Sequence, residues 1–193
     1  QMCIRDSLNL VYLCRHFGLP EVADYWESVV TLNTWQQHRI AQLVVQKLFG
    51  TVTGKRLAVL GFAFKADTND TREAPAIRIC GDLLEEGAQL AIHDPKVVPA
   101  QMARDLKQEA AEAADALNGT GSWALAQSVE EAVAGADAVL ILTEWRQYQQ
   151  LNWQELAARM RCPAWVFDAR AVVNPEAVRA AGLTLWRVGD GEG

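Results

Sequence analysis

Cationic side chains follow two predicted strands of the chain. Lys65 lies four residues beyond Gly61, which closes one apolar run, and Arg170 lies just after the apolar run 165–167. Open α/β sheets bind ligands at the carboxyl ends of their strands. A lysine ammonium at such an end can act as a point charge for a phosphate or a sugar hydroxyl. Each residue also has a structural interpretation, Lys65 as a surface lysine and Arg170 as a partner of Asp168.

The loop after the first strand is rich in charge rather than in glycine. It reads GFAFKADTNDTRE and lacks the G-x-G-x-x-G spacing with which dinucleotide-binding loops cradle a pyrophosphate. Arg72 has Asp70 and Glu73 as near neighbours, which favours a local ion pair within the loop. The turn-forming residues 67–70 are expected to cap the helix that begins near Pro75.

The hydrophobic pattern predicts an α/β fold, a Rossmann-like open parallel sheet with flanking helices, preceded by a long helical segment. The predicted strands of the sheet domain are 56–62, 89–93, 137–143, 164–168 and 184–188. The predicted helices between them are 75–86, 126–134, 152–159 and 175–181. A helix over 8–17 is expected to end at Gly18. A second helix is expected from Pro20 to about residue 49, with an interruption at residues 33–34. Residues 101–122 predict a weak helix followed by a mobile loop.

Several segments, in the same order along the chain, resemble one enzyme family. The loop GFAFKADTNDTRE resembles the signature loop of the nucleotide-sugar 6-dehydrogenases, and its form is nearest to the animal-type UDP-glucose 6-dehydrogenases. Upstream, LNLVYLCRHFGLPEVADYW and KLFGTVTGKRLAVLGFAFK resemble the family's central helices and the first strand. Downstream, AIHDPKV, DAVLILTEW and WVFDARAVV resemble its later strands. Together these segments cover residue 8 to about residue 188.

The resemblance implies a reaction and the residues that serve it. Members of the family oxidise the C6 alcohol of a nucleotide sugar, here UDP-glucose, to the carboxylate of UDP-glucuronate with two NAD and a cysteine nucleophile. It implies that Phe64, Lys65 and Arg170 contact the UDP-sugar and that Arg72 reaches NAD held by another domain. Ala171 stands where the family often has a second polar residue, so the motif does not fix the sugar.

The resemblance also implies a division of the chain. Residues 8–50 correspond to part of the central helical segment through which these enzymes dimerise, and residues 55–190 to the C-terminal UDP-sugar-binding α/β domain. We therefore expect a homo-oligomer built on the 8–50 helices, whose apolar stripe one small domain cannot bury alone. The chain is expected to be the C-terminal part of a longer dehydrogenase, without the NAD domain, and inactive by itself.

The first seven residues are excluded from the fold prediction. QMCIRDS resembles the translation of an adapter used in sequencing libraries, so residues 1–7 are interpreted as an artefact. Cys3 is rejected as the catalytic cysteine, because five positions separate it from Leu8 where the family pattern has six. The glycine-rich run that precedes the family's cysteine is also absent.

Composition limits the other classes of function. The net charge of −6 and the scattered basic residues argue against nucleic-acid binding, and no apolar run has the length of a membrane span. The cysteines have no C-x-x-C spacing and the histidines follow no metal-ligand spacing, so no metal site is expected. A reducing, cytoplasmic location is the expectation.

Two other functions remain open at the level of sequence. One is a related dehydrogenase that acts on GDP-mannose or UDP-N-acetylmannosamine, which the animal-type form of the signature loop disfavours. The other is a short protein that binds a nucleotide sugar, or assembles with a longer paralogue, without turnover.

Overall fold

The computed structural model describes residues 4–111 and 121–191 and opens with two helices. Helix α1 spans Ile4–His16 and helix α2 spans Pro20–Lys47. The break expected within α2 at residues 33–34 is wrong, since Asn and Thr in a helix cost only a few tenths of a kcal/mol. Neighbouring hydroxyls are accommodated within the helix, as Thr31 donates to the carbonyl of Glu27 at 3.0 Å.

The start of α1 also differs from the prediction. Residues 4–7 form its first turn, ahead of the stretch predicted as helical, which begins at residue 8, and Ser7 is only 2% exposed. Cys3 lies outside the described residues, as does most of the loop predicted within 101–122. The interpretation of residues 1–7 as an artefact concerns the origin of the sequence and stays a prediction.

Helix α2 divides into a part that packs on the sheet domain and a part that does not. Its buried residues near the carboxyl end are Ile40, Ala41, Leu43 and Val44. Large apolar side chains of its first half remain exposed, among them Tyr25 at 65% and Leu32 at 63%. This chain's own domain therefore buries only part of the apolar stripe.

The centre of the molecule is a six-stranded sheet in which every pair of neighbours is parallel. The strands are β1 Arg56–Leu60, β2 Gln89–His93, β3 Ser122–Leu125, β4 Ala138–Ile141, β5 Trp165–Asp168 and β6 Thr184–Arg187. Their order across the sheet is β3-β2-β1-β4-β5-β6. The predicted open parallel sheet is confirmed. Strand β3 was not predicted, because it is a four-residue edge strand in which only Trp123 is fully buried.

The remaining helices cover the two faces of the sheet. They are α3 Pro75–Glu85, α4 Pro99–Leu106, α5 Val129–Val133, α6 Trp153–Ala157 and α7 Pro175–Ala180, with a 3₁₀ helix at Arg146–Gln150. Helix α5 begins three residues later than predicted. Ala126 still donates its amide to the carbonyl of Ile92 as part of the sheet, and the Ser128 hydroxyl then accepts from the Glu131 amide to start the helix.

The strand register aligns the carboxyl ends of the central strands. Leu60 of β1 pairs with His93 of β2 and with Ile141 of β4, and Ile141 pairs with Asp168 of β5. The residues that follow these four positions therefore emerge side by side along one edge. None of the helices in the described part of the chain combines the length and hydrophobicity that a bilayer span requires.

Candidate functional site

The loop after β1 begins at a glycine that no other residue can replace without movement. Gly61 has φ +94°, and a Cβ built there would lie 2.4 Å from Cβ of Thr143 and 2.8 Å from its backbone nitrogen. Thr143 in turn donates its hydroxyl to the carbonyl of Ala63 at 2.7 Å. The close contact between the ends of β1 and β4 thus fixes the position at which the loop leaves the sheet.

A buried carboxylate organises the first turn of this loop. Asp94, 8% exposed, accepts through Oδ2 from the amides of Phe62 and Ala63 at 2.7 and 3.0 Å. The same oxygen accepts from the Trp145 indole at 3.2 Å, and Oδ1 accepts from two amides of its own turn. Trp145 is 6% exposed, so it forms the wall of the site and is not free to stack on a base.

The second half of the loop is held by its own side chains and by α4. The guanidinium of Arg72 donates Nε and Nη2 to the two oxygens of Asp70, each at 2.9 Å, and this hydrogen bonding raises the pKa of Arg72. Thr71 donates its hydroxyl to Asp105 at 2.5 Å. The predicted capping of α3 by residues 67–70 is wrong: the N-cap is Ala74, without a side-chain hydrogen bond. The side chains of Thr68 and Asp70 are engaged within the loop, by the Asp70 amide and by Arg72.

Arg170 is positioned by the turn that follows β5. The fully buried carboxylate of Asp168 accepts from the amides of Arg170, Val172 and Val173 at 2.7 to 3.0 Å. The structural pairing considered for Asp168 and Arg170 therefore involves the backbone, not the guanidinium. Ala171 has φ +55°, a left-handed conformation that a side chain disfavours.

The Arg170 side chain reaches across the strand ends to the loop after β1. Its Nε donates to the carbonyl of Leu142 at 2.7 Å, and its Nη2 donates to the carbonyl of Phe64 at 3.4 Å. Phe64 is half-buried and the adjacent Lys65 is exposed. The structure thus brings Phe64, Lys65 and Arg170 together at one edge of the sheet. Arg72 lies in the same loop, with a side chain that is 75% exposed.

Two further charged residues of this edge were not predicted as site residues. Glu144 places Oε2 3.6 Å from Nε of Arg170 and accepts from the Ala66 amide at 3.4 Å through Oε1. Lys96 donates Nζ to the carbonyl of Asp67 at 3.1 Å. Both follow strand ends, the same signal that identified Lys65, although sequence alone does not show which side chains turn toward the loop.

A buried histidine lies directly behind this edge. His93 Nδ1 and the Tyr148 hydroxyl are 3.0 Å apart, and that hydroxyl donates to the carbonyl of His93. Burial lowers the pKa of His93 and raises the pKa of Tyr148. Among the residues that the structure describes, no group of three His, Cys, Asp or Glu side chains could hold a metal ion.

A concave surface of about 470 Å³ lies elsewhere, between α2 and the carboxyl end of α3. Its lining includes His38, whose Nδ1 is 2.6 Å from Asp82, together with Glu85 and Glu86. Because α3 runs back from the site along the sheet, this surface is at the other end of the helix from the loop that carries Lys65.

Comparison with known proteins identifies related sequences. Residues 58–175, which include Phe64, Lys65, Arg72 and Arg170, match the sequence model of the UDP-glucose/GDP-mannose dehydrogenase family, UDP binding domain. UDP-glucose 6-dehydrogenase 5 of Oryza sativa subsp. japonica is 44% identical over 192 residues, which are 96% of this chain and 40% of that protein. UDP-glucose 6-dehydrogenase of Caenorhabditis elegans is 40% identical over 195 residues, covering 96% of this chain and 38% of that protein.

A solved structure shows the same fold over nearly the whole chain. The UDP-glucose dehydrogenase of Pyrobaculum islandicum superposes with a TM-score of 0.63 at 23% identity, covering 95% of this chain and 36% of that one. The chain thus spans about 40% of the length of the relatives it matches. Since the family model covers more than half of its residues, the chain belongs to the UDP-glucose/GDP-mannose dehydrogenase family.

Proposed function

We propose that the carboxyl edge of the sheet binds a UDP-sugar, UDP-glucose, through Phe64, Lys65 and Arg170. The observation that carries this proposal is the contact of Arg170 Nη2 with the Phe64 carbonyl at 3.4 Å. Two segments 106 positions apart in the sequence meet there. This contact supports the proposal, because it joins the loop that carries the exposed Lys65 to the guanidinium of Arg170.

The side chains at this edge are suited to bind a nucleoside diphosphate sugar. The ammonium of Lys65 supplies a mobile point charge, and the fork of Arg170 supplies directed donors for phosphate or hydroxyl oxygens. The Arg170 side chain is 29% exposed, so it remains accessible to a ligand while two carbonyls hold its direction. Phe64 contributes an apolar surface beside these charges.

The reaction proposed for the whole enzyme is the oxidation of UDP-glucose to UDP-glucuronate with two NAD. NAD would accept the hydrides, and Arg72 fits a role in contacting it, because its guanidinium is directed by Asp70 and largely exposed. The chain spans about 40% of the relatives' length and contains no G-x-G-x-x-G loop. We expect no NADH production from UDP-glucose by this chain alone, and turnover by the purified chain would contradict that expectation.

Calorimetric titration of the chain tests the proposed ligand. UDP-glucose should bind, and GDP-mannose or UDP-N-acetylmannosamine should compete weakly. Arg170→Ala should weaken binding roughly 10- to 100-fold, the range expected for a charge-assisted hydrogen bond. Arg159→Ala removes the same charge near the opposite edge of the sheet, where the Arg159 carbonyl accepts from Gly135, and should leave binding unchanged. Equal losses in the two variants would refute the assignment, and tighter binding of GDP-mannose would favour the other substrate.

We also propose that the helices within residues 8–50 form a homo-oligomer, a dimer or a dimer-based assembly. The proposal is supported by the large side chains that α1 and α2 leave exposed, including Tyr12 at 67%, Phe17 at 71% and Trp35 at 55%. Leu32→Lys with Trp35→Glu should shift the chain toward monomer in sedimentation, while the exposed control Glu155→Lys should not. A monomeric wild-type chain would overturn this assembly. A cytoplasmic location stays a prediction from cysteine usage.

A further inference from the structure

The backbone amides that follow β1 form a small anion-binding turn. Gly61 adopts φ +94°, and the next two amides, those of Phe62 and Ala63, converge on a single acceptor. In nucleotide-binding α/β domains, amides at this turn and at the start of the following helix hold phosphate groups. Consecutive amides that point into one concavity attract an anion whatever its source.

In this chain the anion is a side chain of the protein. Asp94 Oδ2 lies 2.7 Å from the Phe62 nitrogen and 3.0 Å from the Ala63 nitrogen. The Trp145 indole donates to the same oxygen, while the amides of Lys96 and Val97 donate to Oδ1. Five donors therefore fix one carboxylate that is 8% exposed.

The position of Asp94 in the fold makes this arrangement informative. Asp94 directly follows β2, whose last residue His93 pairs with Leu60 of β1. Dinucleotide-binding domains commonly place at the end of this strand the acidic residue that binds a ribose hydroxyl. Here the acidic side chain turns back toward the first loop instead of outward toward a ribose.

We propose that Asp94 is a built-in anion that occupies the phosphate position of the first loop and closes it to a dinucleotide. A ligand phosphate placed on the same amides would meet a carboxylate at hydrogen-bonding distance, and two such anions cannot share one site. Ligand phosphates must then be held by side chains further along the edge, such as Lys65 and Arg170. The consequence for Lys65 and Arg170 rests on the proposed function, whereas the occupation of the loop amides by Asp94 does not depend on the UDP-sugar.

Removal of the carboxylate should open an anion site. In Asp94→Ala the Phe62 and Ala63 amides lose their acceptor, and the melting temperature should fall by roughly 10 °C. Sodium formate or inorganic phosphate should restore part of this loss in a saturable way, relative to sodium chloride at the same ionic strength. In the wild-type chain and in Asp94→Asn, where the space is filled, these anions should act no differently from chloride. A folded Asp94→Ala that shows no anion-specific stabilisation overturns the proposal.

Amide hydrogen exchange provides the second readout, in case Asp94→Ala does not fold. A neutral acceptor binds an amide about half as strongly as a charged one. The Phe62 and Ala63 amides should therefore exchange at least about tenfold faster in Asp94→Asn than in the wild-type chain. Asp137→Asn is the matched control, since Asp137 accepts the Arg56 amide at the opposite end of β1, and it should leave the two loop amides unchanged. Equal exchange of the loop amides in Asp94→Asn and the wild-type chain overturns the proposal.

Discussion

Replacement of Gly61 by alanine should be among the most damaging single-methyl changes in this domain. The added Cβ would lie 2.4 Å from Cβ of Thr143, 2.6 Å from its Oγ1 and 2.8 Å from its backbone nitrogen. The nitrogen belongs to the segment that leaves β4, so rotation of a side chain cannot relieve the overlap. The positive φ of +94° adds backbone strain for any residue with a Cβ.

The expected cost follows from these two contributions. An unfavourable left-handed backbone costs about 1–2 kcal/mol, and overpacking of a filled site costs about 1–3 kcal/mol. Together they should lower the free energy of unfolding by about 2–5 kcal/mol. For a chain of this size that corresponds to a melting temperature lower by roughly 10 °C. The backbone movement that relieves the overlap with Thr143 should also displace the loop that carries Phe64 and Lys65. UDP-glucose binding should therefore weaken as well.

Two glycine variants separate the steric part from the backbone part. Gly135 has φ +67° but open space around a built Cβ, so Gly135→Ala should cost only about 1–2 kcal/mol. Gly81 lies within α3 with open space and an ordinary φ, so Gly81→Ala should stabilise the chain by about 0.5–1 kcal/mol. Urea denaturation of the three variants gives the ranking directly. A Gly61→Ala variant no less stable than Gly135→Ala would refute the packing argument.

Three further predictions rest on single residues. Ala171→Gly should raise the free energy of unfolding by up to about 1 kcal/mol in urea titrations, because Ala171 has φ +55°, and a decrease would contradict the strain. Burial lowers the pKa of His93, so the unfolded chain binds more protons below the ordinary histidine pKa. Stability should therefore fall as the pH drops from about 6.5, and less so in His93→Asn; an unchanged slope in the variant would exclude His93 as the cause. Burial also raises the pKa of Cys80, so a thiol reagent should label the exposed Cys162 well before Cys80 in the native chain, and equal rates would contradict the packing.

Most of the sheet could be predicted because its central strands are continuous apolar runs between turn residues. Strands β1, β2, β4, β5 and β6 all lie within the predicted ranges. Strand β3 follows an alanine- and glycine-rich stretch and buries little, so nothing in its composition distinguished it from a loop. Helix α2 continues through residues 33–34 because neighbouring turns outweigh two weak helix formers.

Only two signals in the sequence identified residues of the candidate site: position after a strand and resemblance to a known family. Lys65 and Arg170 were selected because they follow strands, and the register does bring those ends together. The role of Asp94 could not be predicted, because an aspartate before a proline normally indicates a turn. Its hydrogen bonds to Phe62 and Ala63 depend on how two separate loops meet. The position of Glu144 in the site could not be predicted either, because its contact with Arg170 joins the segments that follow β4 and β5.

Chemical-shift mapping by NMR is the most direct test of the ligand edge. On titration of the chain with UDP-glucose, the amide signals of Phe64 and Lys65 and the Nε signal of Arg170 should move together and saturate. Signals at the opposite edge, such as those of Gly135 and Arg159, should not move. A response confined to α1 and α2 or to that opposite edge, or no response at millimolar UDP-glucose, would contradict the proposed site.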